Sequence, residues 1–481
     1  MAAALFFAAV MPVHASNDAM MNLLKVLRDR GTITAQDYEL LSNAAKAPTT
    51  NQVDDMVDHK IVEEVNLKID RNFDAKMEQA VAEQVDIKVA EFPVKVSHGS
   101  KGFRFESRDG NWQTNLQWRA QMRFTSPSTG DPRQLGSFND DTSNTFQARR
   151  LRMKVGGHGF RPWLGYYFEA DWQPTRDSGD ESTVASTRLI DWRITVDKYK
   201  EIGLRLGQWK IDYNRERVDS SGRQQFVERS ISNRVFTIDR QVGVQLRGHL
   251  FEGTPADMRY YAGVFTGEGR GVSNDDKDLM YAGRLQWNFL GRDLALKQTD
   301  VEYTEKPTGS FSAGAASNTG RCTRWSSGGC GNLDGFDKPV LAMDGQYEIN
   351  QWTQGSAFKW RGFSWQQEFH RKTVDDTVNN TSSDLTGGYV QSGYFFHHLI
   401  PAVPKQLELA VRYSYVEEPN RTDLQLENKR EEFTIGANWF LFGAGHNNKI
   451  TADFSHLTLD DSFANQDVSE NRFRVQYDVS F

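Results

Sequence analysis

The stretch FRVQYDVSF, residues 473–481, places Phe473, Val475, Tyr477, Val479 and Phe481 against Arg474, Gln476, Asp478 and Ser480. A period of two marks a strand with one apolar and one wetted face. The alternation also fills NWQTNLQWRAQMRF, where Trp112, Leu116, Trp118, Met122 and Phe124 oppose Gln113, Asn115, Gln117, Arg119, Gln121 and Arg123. It returns in RLIDWRITV, QVGVQLRGHL, YAGRLQWNF, FSWQQEF, LELAVRYSY and FTIGANWFL. About sixteen such runs lie between residue 100 and the last residue, each near the length that a tilted membrane strand needs. Their connectors come in two sizes. RP at 161–162 and GAGHNN at 443–448 are short, whereas TSPSTGDPRQLGSFNDDTSN and KPTGSFSAGAASNTGRCTRWSSGGCGNLDGFD are long and polar. The pattern predicts an all-β fold, an antiparallel transmembrane β-barrel of about sixteen strands over 100–481, with short turns at one end and long loops at the other. A soluble sandwich also alternates, but Trp112, Trp172, Trp439 and Phe481 gather at strand ends, as in a membrane girdle. Phe481 is then expected on the strand that closes the wall.

Ahead of the barrel the period differs. MAAALFFAAVMPVHASN is too short to span a bilayer and reads as a signal peptide, residues 1–15, cut after Ala15. No Lys or Arg precedes its apolar run, which points to a translation start upstream of Met1. Residues 16–99 read as a helical segment on the periplasmic side. NLLKVLRDRGTITAQDYELLSNA predicts helix, turn, helix, with Gly31 ending the first helix and Thr34 capping the second. Val57, Ile61, Val65, Ile69, Phe73, Met77, Val81, Val85 and Val89 follow at steps of four. Each step drifts about 40° round a helix. The stripe therefore suits a coiled coil of right-handed drift, with a helical spacer as the alternative. Pro93 ends it.

Composition narrows the class. A mean hydropathy of -0.63 over 481 residues excludes a bundle of membrane helices and leaves a barrel open. A net charge of -7 weighs against nucleic acid as a partner. Cys322 and Cys330 are the two cysteines, and their close spacing in an exported chain predicts an external loop disulfide. No further Cys or His stands nearby to complete a zinc site. No motif calls for a cofactor. G-x-S-x-G is absent, and His249 and His370 have inward parity without a sequence partner, so an outer-membrane hydrolase is disfavoured.

Parity also assigns the lumen. Leu151, Met153 and Val155 share the apolar phase, so Arg150, Arg152 and Lys154 should point inward and Arg149 outward. Arg119, Arg123, Arg193, Arg205 and Arg247 join the inward cations, and Glu169, Asp171, Asp191, Glu368 and Asp478 the inward acids. Lysines read as scarce on this face. The stretch from Asp212 to Arg240 is too long for a turn and too charged for a wall. It carries Arg215, Arg217, Arg223, Arg229, Arg234 and Arg240 against Asp212, Glu216, Asp219, Glu228 and Asp239. It reads either as a loop folded into the lumen or as a solvated outer loop.

RRLRMKVGGHGFRPWLGYYFEADW at 149–172, LRLGQWK at 204–210, FVERS at 226–230 and DRQVGVQL at 239–246 resemble the phosphate-selective porin O and P family. The resemblance covers most of the chain. It implies a homotrimer in outer-membrane lipid, about sixteen strands, a third loop folded inward as a constriction, and a lumen arginine ladder that guides small anions such as phosphate. Arg149 and Arg150 match the family's paired arginines, and 212–240 matches its constriction loop, here with more acids than is common. The expected function is passive, anion-selective diffusion. A weakly selective general porin and an envelope tether through the coiled coil are the alternatives.

Overall fold

The computed structural model describes residues 17–31, 33–46, 93–127, 144–172, 187–272, 274, 277–327, 329–421, 426–462 and 465–481. The signal peptide and the four-residue stripe lie outside the described residues. The chain divides into two compact units, 1–91 and 92–481. In the first, α1 (Asn17–Asp29) and α2 (Ala35–Lys46) flank a turn with Gly31 at φ +71°. The Asp37 N–H donates to Thr34 Oγ1 at 3.2 Å, and the Thr34 hydroxyl donates to the Asp37 carboxylate at 2.6 Å. The Asp37 N–H is one of the free donors of the first turn of α2, and the Thr34 N–H donates back to the Asp37 carboxylate at 3.2 Å, which completes the cap.

The second unit opens with a hairpin of β1 (Val94–Gly99) and β2 (Gly102–Ser107), so strand begins six residues before the boundary read from sequence. The barrel wall is β3 (Gln113–Ser126), β4 (Thr145–His158), β5 (Leu164–Asp171), β6 (Arg188–Val196), β7 (Gly203–Lys210), β8 (Arg240–Leu250), β9 (Met258–Phe265), β10 (Met280–Trp287) and β11 (Thr308–Gly320), continued after a small hairpin of β12 (Arg324–Ser326) and β13 (Gly329–Gly331). It is completed by β14 (Tyr347–Trp360), β15 (Phe363–Asp376), β16 (Thr381–Tyr394), β17 (Leu407–Arg421), β18 (Leu426–Phe440), β19 (Asn448–Asp461) and β20 (Gln466–Ser480). Each wall strand pairs antiparallel with the next, and β20 pairs with β3 from Phe473↔Ser126 to Ser480↔Arg119. Sixteen strands thus close on themselves and leave no wall edge. Phe481 completes the seam by exchanging backbone hydrogen bonds with Trp118 at 2.9 and 3.1 Å. Below that point β2 takes over as the neighbour of β3, from Phe103↔Leu116 to Glu106↔Gln113.

Polarity inverts along the wall. In the middle, Leu409, Val411, Phe433, Ile435 and Phe454 face outward while Glu408, Arg412, Thr434 and Asp453 face the lumen and are buried. Toward the long-loop end, the outward positions carry the ion pairs Arg371–Asp384 and Lys429–Glu431. There the inward positions become Tyr347, Ile349, Val374, Leu385, Val416 and Leu457, all buried. Charge on the outer face is costly at the bilayer middle and cheap at its rim. The inversion therefore marks where the wall leaves the hydrocarbon. Inside that outer part, these side chains pack on Phe236, Val235, Trp209 and Trp325 to form an apolar core within the barrel.

Candidate functional site

The segment between β7 and β8 builds that core and crosses the lumen. It holds two short helices, α3 (Arg215–Val218) and α4 (Ser232–Phe236). It is held from several sides of the wall, mostly through its backbone. From β3, Arg119 Nη1 donates to Ser221 Oγ at 3.0 Å, and Arg123 Nη2 donates to the Val227 carbonyl at 3.1 Å. From β19, the Asp453 carboxylate accepts the Val227 N–H at 2.8 Å. Asn438 of β18 donates to the Gln225 carbonyl at 2.8 Å, and Arg412 of β17 donates to the Glu228 carbonyl at 2.9 Å. On β15, Glu368 accepts the backbone N–H groups of Arg215 and Glu216. Two loop rings use glycine sockets. A Cβ on Gly436 would meet the Phe226 ring at 2.9 Å, and one on Gly387 the Phe236 ring at 2.5 Å.

Two further segments fold inward. The loop 321–346 brings the β12–β13 hairpin against α4, with the Cys322–Cys330 disulfide (Cα–Cα 5.7 Å) at its base. Cys322 and Trp325 are buried in the internal core, so the disulfide anchors a lumen segment, not an exposed outer loop. At the opposite end, the connector between β10 and β11 (288–307) buries Leu294, Gln298, Thr299 and Asp300. Gln298 Oε1 accepts the Gln225 N–H at 2.7 Å, and Gln298 Nε2 donates to Gln224 Oε1 at 2.8 Å.

Lysines are not scarce on the inner face. Lys449 donates to the Gln224 carbonyl, and Lys359 to that of Thr299 at 2.5 Å. Lys372 donates to the carbonyls of Val235 and Thr323, and Lys210 to those of Arg217, Val218 and Asp219. Arginines divide differently, many pairing with carboxylates: Arg119 with Asp478, Arg152 with Glu169 and Asp171, Arg205 with Asp212, and Arg240 with Asp191. The division follows chemistry. A planar guanidinium fork matches a carboxylate, whereas an ammonium offers three donors that carbonyls can share.

Between the inward loop and the short turns lies a chamber of about 1290 Å³. Twelve cations line it: Lys101, Arg119, Arg152, Lys154, Arg193, Arg205, Lys210, Arg223, Arg240, Arg247, Lys297 and Lys405. Four carboxylates do so: Glu169, Asp191, Asp212 and Glu302. Asp478 and Asp171, which pair with Arg119 and Arg152, are buried behind the lining. Lys154 donates to Gln117 Oε1 at 3.2 Å, so its hydrogen bond goes to a neutral acceptor. Arg193 reaches Asp191 at 3.6 Å and lies 4.2 Å over the Tyr167 ring, and Arg247 pairs with Asp197. Arg223 is tethered to Asp219 at 3.1 Å and leaves 39% of its side chain exposed.

The other predicted cations lie elsewhere. Arg123 and Arg149 converge on Glu228 at 2.6 and 3.3 Å, and Arg150 donates to Gln121 Oε1 at 2.9 Å. Arg149 corrects the parity reading. The ladder pairs Gln121 with Arg150 but Met122 with Ala148, so Arg149 is the extra residue of a bulge and turns to the loop. Arg215, Arg217 and Arg229 are buried within the loop rather than lining the chamber, and Arg234 stands half-buried on α4. Arg217 pairs with Asp239. Burial would raise the Asp239 carboxyl, but Arg217 and Arg240 outweigh it and hold the group below its ordinary range. Burial pulls the Arg229 guanidinium down to about 10, and its donors go to the carbonyls of Glu216 and Asp219. His249 hydrogen-bonds Asp257 at 2.8 Å, and His370 stacks on Phe236 at 5.2 Å. Lys101, Lys210, Lys297 and Lys405 were missed because they stand on strand ends and turns, where alternation gives no phase.

A family model described as phosphate-selective porin O and P matches residues 129–481, well over half of the chain. The chain belongs to that family. The porin's barrel is similar to that of a loop-deletion mutant of OmpT, an outer membrane protein of Vibrio cholerae, with 11% identity over 76% of this chain and 99% of that one, at a TM-score of 0.51. DcaP, an outer membrane channel of Acinetobacter baumannii, is 13% identical over 78% and 99%, at 0.49. An anion-selective porin from Comamonas acidovorans is 10% identical over 76% and 99%, at 0.48. No curated protein sequence matches the chain. The first likeness supports the closed sixteen-strand fold, and with the family it makes this an outer-membrane porin.

Proposed function

We propose that this porin is a passive, anion-selective diffusion path in which small phosphate-type anions collect in the cation-lined chamber and are handed past the inward loop. The observation that carries the reading is the lining, twelve cations to four carboxylates, in a chain that is acidic as a whole. An ion in a narrow lumen sheds part of its hydration, so fixed charges act through a lower dielectric than on an open surface. Guanidinium and ammonium donors replace that lost water, and several directed donors suit phosphate oxygens better than chloride. A homotrimer in outer-membrane lipid, with 1–15 as its signal peptide and 16–99 on the periplasmic side, completes the reading. A weakly selective pore is the second reading, favoured by the ion pairing of Arg119, Arg152, Arg205 and Arg240. The two separate in planar bilayers. Phosphate added to a chloride solution should reduce single-channel current, and Lys154→Ala with Arg223→Ala should weaken that block several-fold. An unblocked wild-type channel favours the second reading.

A further inference from the structure

The acids of the inward loop do different work. Glu216, Asp219 and Asp239 are buried and serve the loop itself: Glu216 accepts the Ser230 N–H at 2.8 Å, Asp219 tethers Arg223, and Asp239 pairs with Arg217. Glu228 turns to the wall instead, on the long-loop side of the chamber. Arg123 Nη1 and Arg149 Nε donate to the same oxygen of its carboxylate, at 2.6 and 3.3 Å. Arg150 stands next to Arg149 and donates to the neutral Gln121 side chain. The other acceptors of Arg123 are the Gln476 amide oxygen at 2.7 Å and the Val227 carbonyl at 3.1 Å, neutral as well. Among the described residues no other carboxylate pairs with these arginines, so three positive charges meet one negative.

The backbone that carries Glu228 is pinned on both sides. The Val227 N–H donates to Asp453 at 2.8 Å, the Glu228 carbonyl accepts from Arg412 at 2.9 Å, and the Ser230 N–H is held by Glu216. The carboxylate therefore moves only by rotation about its own side-chain bonds. Its side chain is 11% exposed and that of Arg149 28%, so an ion on the long-loop side can reach the pair. A carboxylate offers a guanidinium fork the same charged oxygens that a phosphate does. Further along β4, the inward positions after Arg150 are Arg152 and Lys154, which line the chamber. A pore must bind its ion well enough to admit it and weakly enough to release it. Bare arginines would hold an oxyanion long, whereas a carboxylate on a short tether competes at high effective concentration. We propose, resting on the anion-selective reading above, that Glu228 is a tethered stand-in for the permeant anion. Phosphate entering from the long-loop side displaces its carboxylate from Arg123 and Arg149, and the return of the carboxylate releases phosphate toward Arg152 and Lys154.

Planar-bilayer recordings of the full chain test this, with inorganic phosphate titrated into potassium chloride for the wild type, Glu228→Gln and Glu228→Asp. Glutamine keeps the shape of the side chain without its charge. Glu228→Gln should lower the half-blocking phosphate concentration several-fold and lengthen each blocked interval. Aspartate keeps the charge but falls one methylene short, so Glu228→Asp should lie between Glu228→Gln and the wild type. A side chain that only props the loop gives the opposite sign, since a slackened loop holds phosphate less well. An unchanged or weaker block in Glu228→Gln overturns the proposal. The reversal potential of the wild type in a potassium chloride gradient keeps the two readings apart. Potassium preference there overturns the anion reading, whereas chloride preference with no tighter block in Glu228→Gln overturns the stand-in alone.

Discussion

Arg149 and Arg150 are neighbours in sequence, and strict alternation would send them to opposite faces. The bulge opposite Gln121 and Met122 puts both on the lumen side, one against Glu228 and the other against Gln121. Arg149→Ala and Arg150→Ala should therefore move the reversal potential toward cations by similar amounts. A null effect of Arg149→Ala alone would restore the outward reading. A second residue-scale prediction concerns His446, in the turn between β18 and β19. Burial, followed by Lys449, Lys359, Arg223 and Lys297, pushes its imidazole well below the ordinary value. Its ring nitrogen bonds Thr299 of the inward connector at 3.0 Å. A histidine depressed in the folded state binds protons more readily when unfolded. Its contribution is thus present above pH ~6.5 and lost as pH falls below that value. Melting of the wild type should decline through that window, and His446→Gln should flatten the profile.

At the scale of elements, Cys322–Cys330 closes a ring of eight-residue separation inside the core. Chain-entropy arguments give such a ring about 2–3 kcal/mol. Because wall closure does not use the ring, Cys322→Ser with Cys330→Ser should leave the barrel folded with a modestly lowered melting temperature and raise hydrogen exchange across 321–337. Equal protection in both forms would show that the hairpin holds itself. Lys449→Met should likewise release the Gln224 carbonyl and increase current noise from the inward loop, read in single-channel records. The wall elements were legible because lipid on one side and water on the other impose a period of two, as in β3, β17 and β20. Legibility failed where both sides changed together. At Tyr347, Ile349 and Val374 the inside is apolar protein and the outside is water, so alternation survives with its meaning reversed. The lumen cations of β4 were readable by phase, whereas the bulge at Arg149 and the turn lysines carry no periodic signal. The sockets at Gly387 and Gly436 depend on contacts with residues far away in sequence.

For the whole molecule, a net charge of -7 and a chamber lined three to one by cations coexist because the acids are placed elsewhere. Some stand behind the lining, as Asp478 and Asp171 do, and others on the outer rim, as Asp384 and Glu431 do. Asp478 and Asp171 lie 3.0 Å from Arg119 and Arg152 and offset them, so the preference rests on lining cations such as Lys154, whose hydrogen bond goes to a neutral acceptor, and Arg223, which stays partly exposed. The most direct measurement is the zero-current potential of the wild-type channel under a potassium chloride gradient across a planar bilayer. A potential whose sign reports chloride as the more permeant ion is the predicted result. A sign reporting potassium would contradict the account and give Glu169 and Asp191 the leading role in the chamber.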